Sequence, residues 1–360
     1  MTRGQSLGLA LLLAAVSVSA TIAAGEIALR LRHGGLAARP VSAAKSAMQM
    51  AAARSAYPSA YDPLLGYVPR AGERGTENVW RRSVTIGADG LRENGRARPP
   101  GTPVLVLGDS FAFGDEVDDA DTWPAQLEVQ LGRPVLNGGV FGYGLDQIVL
   151  RGEQLLGGAA READVVILAV LPEDVLRCEF SYRYAWKPYF TLENGALALH
   201  NVPAPQPHEG PPGESLLRRT LRRSFLADRA FRLLDPDGWS IPDSVRVHRD
   251  GGEVARQLIE RWVDAVGLEK RDALLVIQWS PQMVAVPIDG VVAQARQRAV
   301  PVLDLRDVLE PVVRARGVGA AFELHVDPAQ SAAVGHMNAQ GNRLVAEAIA
   351  AALPAAGDGA

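Results

Sequence analysis

Five short runs of apolar residues, each cut off by a small or turn-forming residue, limit what this chain can fold into. Val104–Leu107 stops at Gly108-Asp109-Ser110, and Pro134-Val135-Leu136-Asn137 opens into the glycine-rich residues 138–144. Residues 164–171 end in Pro172-Glu173-Asp174, and residues 273–277 and 302–305 complete the set. Uninterrupted runs of this length, rich in Val, Ile and Leu, read as strands buried on both faces. Between them, residues 123–131, 146–157, 252–268 and 291–299 read as helices. Strands alternating with helices predict an α/β fold, a parallel sheet with helices on both faces. Such folds gather ligands outside the carboxyl ends of the strands, so Ser110 is expected at the mouth of a pocket.

A length of 360 residues suits one catalytic domain with appendages. The formal net charge of -4 gives no basic face for a nucleic-acid partner, and none is expected. Cys178, the one cysteine, cannot form an intrachain disulfide, which leaves the redox compartment open.

The N-terminus speaks to the compartment instead. Residues 4–25 carry no charge, and at about 1.5 Å per residue they would span roughly 30 Å, the thickness of the hydrocarbon core. Residues 1–33 are therefore read as a membrane anchor. The alternative is a cleaved signal peptide, since Val18-Ser19-Ala20 and Ile22-Ala23-Ala24 both end in small residues. Either reading places the rest of the chain on the periplasmic or extracellular face.

Residues 34–100 read as a juxtamembrane spacer and lead-in, with a turn-rich stretch at 61–67 and an extended one at 83–86 closed by Ala88-Asp89-Gly90. Asp115, Glu116, Asp118, Asp119 and Asp121 crowd the segment after Ser110. They read as a solvated loop leading to a helix capped by Thr122, in preference to a metal site. Residues 178–267 read as an insertion. It contains a hairpin turning at Asn194-Gly195. Its aromatics Tyr182, Tyr184, Trp186, Tyr189 and Phe190 suit either a ligand-binding wall or the hairpin's own core. The arginine-rich residues 216–234 read as a solvated helix face, with contact to anionic lipid as the alternative.

Four segments in order carry a family resemblance. They are Gly108-Asp109-Ser110-Phe111, Asp121-Thr122-Trp123-Pro124, residues 136–144, and Gly335-His336-Met337-Asn338-Ala339-Gln340-Gly341. Together they resemble the blocks of the SGNH (GDSL-type) hydrolases. The order of an apolar N-terminus, Leu65-Gly66-Tyr67-Val68-Pro69, Asp89-Gly90-Leu91-Arg92 and then the serine block looks like a membrane-anchored bacterial subgroup. The resemblance implies a three-layer α/β/α, flavodoxin-like domain over residues 101–353, with Ser110 as nucleophile and His336 as general base. It also implies Gly142 as an oxyanion donor beside the Ser110 amide, and no cofactor or metal. Asn137 and Glu173 join Gly142 as the oxyanion or substrate-binding positions.

Two departures accompany the resemblance. Glu173 stands where the family has an asparagine, and an ionised glutamate cannot donate a hydrogen bond to an oxyanion. No aspartate immediately precedes His336; Asp327 is the nearest upstream acid and the candidate orienter of the imidazole. The implied activity is a Ser-His esterase or acyl hydrolase acting on ester-bearing small molecules or polysaccharides, O-acetyl groups of the cell envelope among them. The alternatives are a catalytically degenerate domain that binds a glycan or an envelope partner, and a carbohydrate O-acetyltransferase.

Overall fold

The computed structural model describes residues 3–38, 40, 59–75, 82–183, 185–206, 216–234, 239, 244–283, 286–325 and 333–354. They belong to two compact units, one of residues 1–54 and 210–245, the other of residues 55–209 and 246–360.

The larger unit is built on a five-stranded parallel sheet. Its strands are β1 (Val104–Leu107), β2 (Val135–Asn137), β3 (Val165–Val170), β4 (Asp272–Ile277) and β5 (Val302–Asp304), in the spatial order 2-1-3-4-5. Val104 pairs with Val135 on one side and Val165 on the other. The three central strands are buried on both faces because their apolar residues do not alternate with polar ones. Leu105, Leu107, Val166, Leu168, Val170 and Leu275 point into one core, with the helices Leu145–Leu156, Gly251–Val266 and Asp289–Gln297. Val104, Val106, Ile167, Ala169, Leu274 and Val276 point into the other, with the helices Trp123–Leu131, Arg306–Arg316 and Ala339–Ala352. The result is the three-layer α/β/α architecture that the strand runs imply.

This strand order reverses direction between β1 and β3, and the crevice at such a switch point is where open α/β sheets bind ligands. The segment between β1 and Gly114 thus starts at the favoured place. The lead-in is part of the same unit. Leu65, Tyr67, Ile86 and Leu91 are buried in its cores, and Arg92 bridges to Asn137 at the end of β2. Phe180, Tyr182 and Phe190 of the insertion are buried, Tyr182 meets Trp186 edge-on, and Tyr189 stacks on His200, so these rings pack on the protein itself. Tyr184 lies outside the described residues. The hairpin forms as read, with Glu193 paired to Ala196 across the Asn-Gly turn.

In the smaller unit, Arg3–Arg32 is one continuous helix. Its Leu11–Arg32 portion is long and apolar enough to cross a membrane, a test that an N-terminal signal sequence also passes.

Candidate active site

Asp109 ends the turn after β1 in an extended conformation. Its carboxylate Oδ1 accepts from the Phe111 amide at 3.0 Å, which caps the short helix Ser110–Phe113. The Asp109 carboxylate is fully buried and held from two further sides, by Arg177 Nη1 at 3.0 Å and by Gln278 Nε2 at 3.0 Å. Ser110 therefore starts its helix on a rigid support. The chain behind it cannot carry larger residues: a Cβ at Gly108 would lie 2.7 Å from Ala112 Cβ and 2.9 Å from the Ala169 carbonyl.

His336 reaches this serine from the C-terminal end of the chain. It sits on the strand Ala333–Met337, which pairs antiparallel with Phe322–His325. Asn338 then caps the helix Ala339–Ala352 by accepting from the Gly341 amide at 2.9 Å. The buried Asn342 side chain accepts from the Trp123 amide at 2.9 Å and donates to the Met337 carbonyl at 2.9 Å, pinning the histidine strand to the helix that follows the acidic loop. His336 Nε2 lies 2.9 Å from Ser110 Oγ. The imidazole packs on Phe111, ring centres 4.7 Å apart.

The other imidazole nitrogen faces a carboxylate. His336 Nδ1 lies 2.8 Å from Glu116 Oε1, and Asp115 Oδ2 is 3.8 Å from Nε2. The reading of the acidic stretch as a solvated loop is thus corrected: Asp115, Glu116 and Asp119 are buried. Arg92 makes that burial possible. Its fully buried guanidinium donates to Asp119 Oδ1 at 3.0 Å and to the carbonyls of Phe113, Gly114 and Val117 at 2.9, 2.6 and 2.8 Å. One cation far upstream neutralises and shapes the loop that carries the acids, although burial lowers its own pKa from the ordinary arginine value. Glu116 itself adopts a left-handed backbone, φ 72°, which costs a residue with a Cβ on the order of 1–2 kcal/mol. Such conformations persist where surrounding contacts enforce them and gather at functional sites. Thr122 caps the following helix as read, accepting from the Ala125 amide.

Burial alone would lower the His336 pKa. The Glu116 hydrogen bond and the charges of Asp115, Glu116 and Asp109 outweigh it and hold the imidazole above its ordinary value of 6.5. This environment favours the imidazolium that a serine nucleophile generates when it gives up its proton.

The glycine-rich loop is held by Asn137 and by the lead-in. Asn137 is buried; its Nδ2 donates to the Phe113 carbonyl at 3.2 Å, and its Oδ1 accepts from the Gly139 amide at 3.1 Å. Its side chain joins the serine helix to the loop. Tyr67 Oη donates to the Phe141 carbonyl at 2.8 Å, and the Tyr143 hydroxyl bonds the Tyr67 carbonyl in return. Gly142 lies at φ 70°, a conformation that favours glycine.

Glu173 occupies the first turn of the helix Pro172–Arg177, beyond β3, and is half-buried. Its neighbour Asp174 accepts from the Leu171 amide at 2.8 Å and pairs with Arg177. Burial, then the charge of Asp109, raise the Asp174 pKa well above its ordinary value against the pull of Arg177, with Glu173 adding to the push. Asp327 lies outside the described residues.

Ser110 and His336 are thus brought together as read. The carboxylate on the imidazole is that of Glu116, which the acidic pattern alone assigns to a solvated loop. Its signal was a buried-type residue, Val117, set among the acids, together with the lack of an aspartate before the histidine.

No family model and no curated protein matches this chain. Solved structures do. A member of the lipolytic protein G-D-S-L family from Veillonella parvula is 12% identical, covering 69% of this chain and 95% of its own, with a TM-score of 0.38. A catalytic mutant of an acetylxylan esterase from Geobacillus stearothermophilus is 16% identical, covering 70% of this chain and 93% of its own, with a TM-score of 0.38. An α/β hydrolase enzyme from the metagenome of Lake Arreo, Spain, is 12% identical, covering 71% of this chain and 95% of its own, with a TM-score of 0.41. By its own sheet order and two helix layers, the chain is a three-layer α/β/α protein.

Proposed function

We propose that this chain is an SGNH-type serine ester hydrolase in which Ser110, His336 and Glu116 act as a triad. The observation that carries the reading is the continuous chain of contacts from Ser110 Oγ through His336 to the Glu116 carboxylate, 2.9 Å and 2.8 Å long. Ser110 Oγ attacks the ester carbonyl carbon and its proton passes to His336 Nε2. The tetrahedral intermediate then expels the alcohol, which takes that proton. Water, activated by the same nitrogen, cleaves the acyl-serine and releases the acid. Glu116 fixes the tautomer with Nδ1 protonated and stabilises the imidazolium. The amides of Ser110 and Gly142 receive the oxyanion, while Asn137 holds the loop that presents one of them.

In this reading Glu173 takes the place of a side-chain donor without supplying one. Each lost donor lowers the rate by roughly 10²–10³, so a slow enzyme is expected. The substrate class is an ester-linked acyl group. The N-terminal helix acts as an anchor and presents the domain on the extracytoplasmic face, where O-acetyl groups of envelope polysaccharides are within reach.

Labelling of the purified chain by a fluorophosphonate probe tests the proposal, with Ser110→Ala and His336→Ala beside it. Labelling of the parent and of neither variant supports it. A folded parent that stays unlabelled overturns it in favour of a domain that only binds.

A further inference from the structure

The smaller unit has features that the hydrolase reading does not use. Residues 4–25 are uncharged and about as long, at 1.5 Å per residue, as the hydrocarbon core is thick, roughly 30 Å. Glu26 is therefore the first charged residue at the far edge of that layer. Its carboxylate accepts from Ser224 Oγ at 2.9 Å and from the amides of Phe225 and Leu226 at 3.1 and 3.2 Å, capping the helix Phe225–Leu234. Arg30, one turn on, donates to Glu26 at 2.8 Å and to the Arg223 carbonyl at 2.5 Å, and His33 stacks on Phe225. The helix Phe225–Leu234 thus begins at the level where the apolar run ends.

What this segment exposes suits that level. Leu216, Leu217, Leu233 and Leu234 are 69–81% exposed, while Trp239, Asp228 and Arg222 are buried and form a small core: Trp239 Nε1 donates to Asp228 Oδ1 at 3.0 Å, and Arg222 lies over the Trp239 ring at 5.2 Å. Residues 216–234 contain six arginines and a single acid, and Arg223 and Arg229 are among the exposed residues. Exposed leucines at the outer ends of two basic helices, Leu216–Leu221 and Phe225–Leu234, form the pattern of an element lying in a lipid interface, its apolar side chains among the acyl chains and its guanidinium groups on the phosphates.

We infer that residues 216–234 form an interfacial platform that lies on an anionic lipid bilayer, fixed at the membrane surface by the Glu26 cap. The inference rests on the reading of Arg3–Arg32 as membrane-spanning. The platform stops the junction between anchor and the following residues from rotating freely, because lipid holds it at two places, the span and the leucine ends.

Environment-sensitive fluorophores placed on single cysteines test it, in the full chain inserted into nanodiscs. The variants are Val16→Cys for the span and Leu217→Cys and Leu234→Cys for the platform; the native Cys178 is fully buried. Nitroxide lipids report depth. The expected result is quenching of the Val16 label by nitroxides in the acyl chains, and of both platform labels by shallow nitroxides. Platform quenching should be several-fold stronger in phosphatidylglycerol than in phosphatidylcholine and should fall in Arg223→Glu/Arg229→Glu. A quenched Val16 label with water-exposed platform labels leaves the anchor standing and overturns the platform. Platform labels shielded from water yet unquenched by lipid overturn it too, and point to a protein partner or a second copy on this face. An unquenched Val16 label overturns the anchor, and the platform with it.

Discussion

Glu116 and His336, 220 residues apart in the chain, share a 2.8 Å contact between Oε1 and Nδ1. Glu116 belongs to the loop that directly follows the serine helix, so Ser110 and Glu116 come from one short segment and only His336 arrives from elsewhere. A test follows directly. Glu116→Gln keeps the size of the side chain but removes the charge that selects the tautomer, and should lower kcat/KM by about 10²–10⁴-fold. Glu116→Asp should recover part of the loss. A Glu116→Gln enzyme with full ester hydrolysis would remove this residue from the triad.

The pH profile carries its own sign. Hydrolysis needs the neutral imidazole, and the carboxylates hold the His336 pKa above 6.5, so the acid limb of kcat/KM should lie above that value. Asp115→Asn removes one of the charges that raise it and should shift the limb to lower pH, with a much smaller loss of rate than Glu116→Gln. A limb that moves upward would contradict the assignment.

Arg92 ties the site to the lead-in. Arg92→Met leaves Asp119 buried without its cation and takes the guanidinium away from the carbonyls of Ser83, Phe113, Gly114 and Val117, which should cost about 3–5 kcal/mol of stability in urea unfolding. Where the variant still folds, ester hydrolysis should fall as well, since the loop carrying Glu116 loses its hold. Unchanged stability would mean that the loop supports itself.

Gly142→Ala places a Cβ on a backbone at φ 70°. The strain, on the order of 1–2 kcal/mol, should be relieved by rotation of the loop, which moves the Gly142 amide. The expected signature is a kcat reduced by roughly 10²–10³ with little change in KM, as for the loss of an oxyanion donor. A fall in thermal stability with kcat intact would assign the glycine to the turn alone.

Much of the sheet was legible because its information is local. Val104–Leu107 and Val165–Val170 are buried on both faces, so their apolar runs are unbroken. The cap at Thr122 and the turn at Asn194-Gly195 likewise depend on residues within a few positions of one another. Ser110 and His336 were legible through short motifs. Glu116 was not, because an acidic run is normally solvated, and this one is folded around the buried Arg92, which no local pattern links to it. The same reason hid the role of the lead-in: Tyr67 supports the glycine loop through hydrogen bonds to Phe141 and Tyr143 that are about 75 residues distant in sequence.

The clamp formed by Asn342, between the Trp123 amide and the Met337 carbonyl, has a kinetic meaning. Serine and acid are close in sequence and can meet early, whereas the histidine waits for the closure of a loop of more than two hundred residues, a slow and entropically costly event. The proposed triad is therefore complete only once the Ala339–Ala352 helix has docked and Asn342 holds the histidine strand in place.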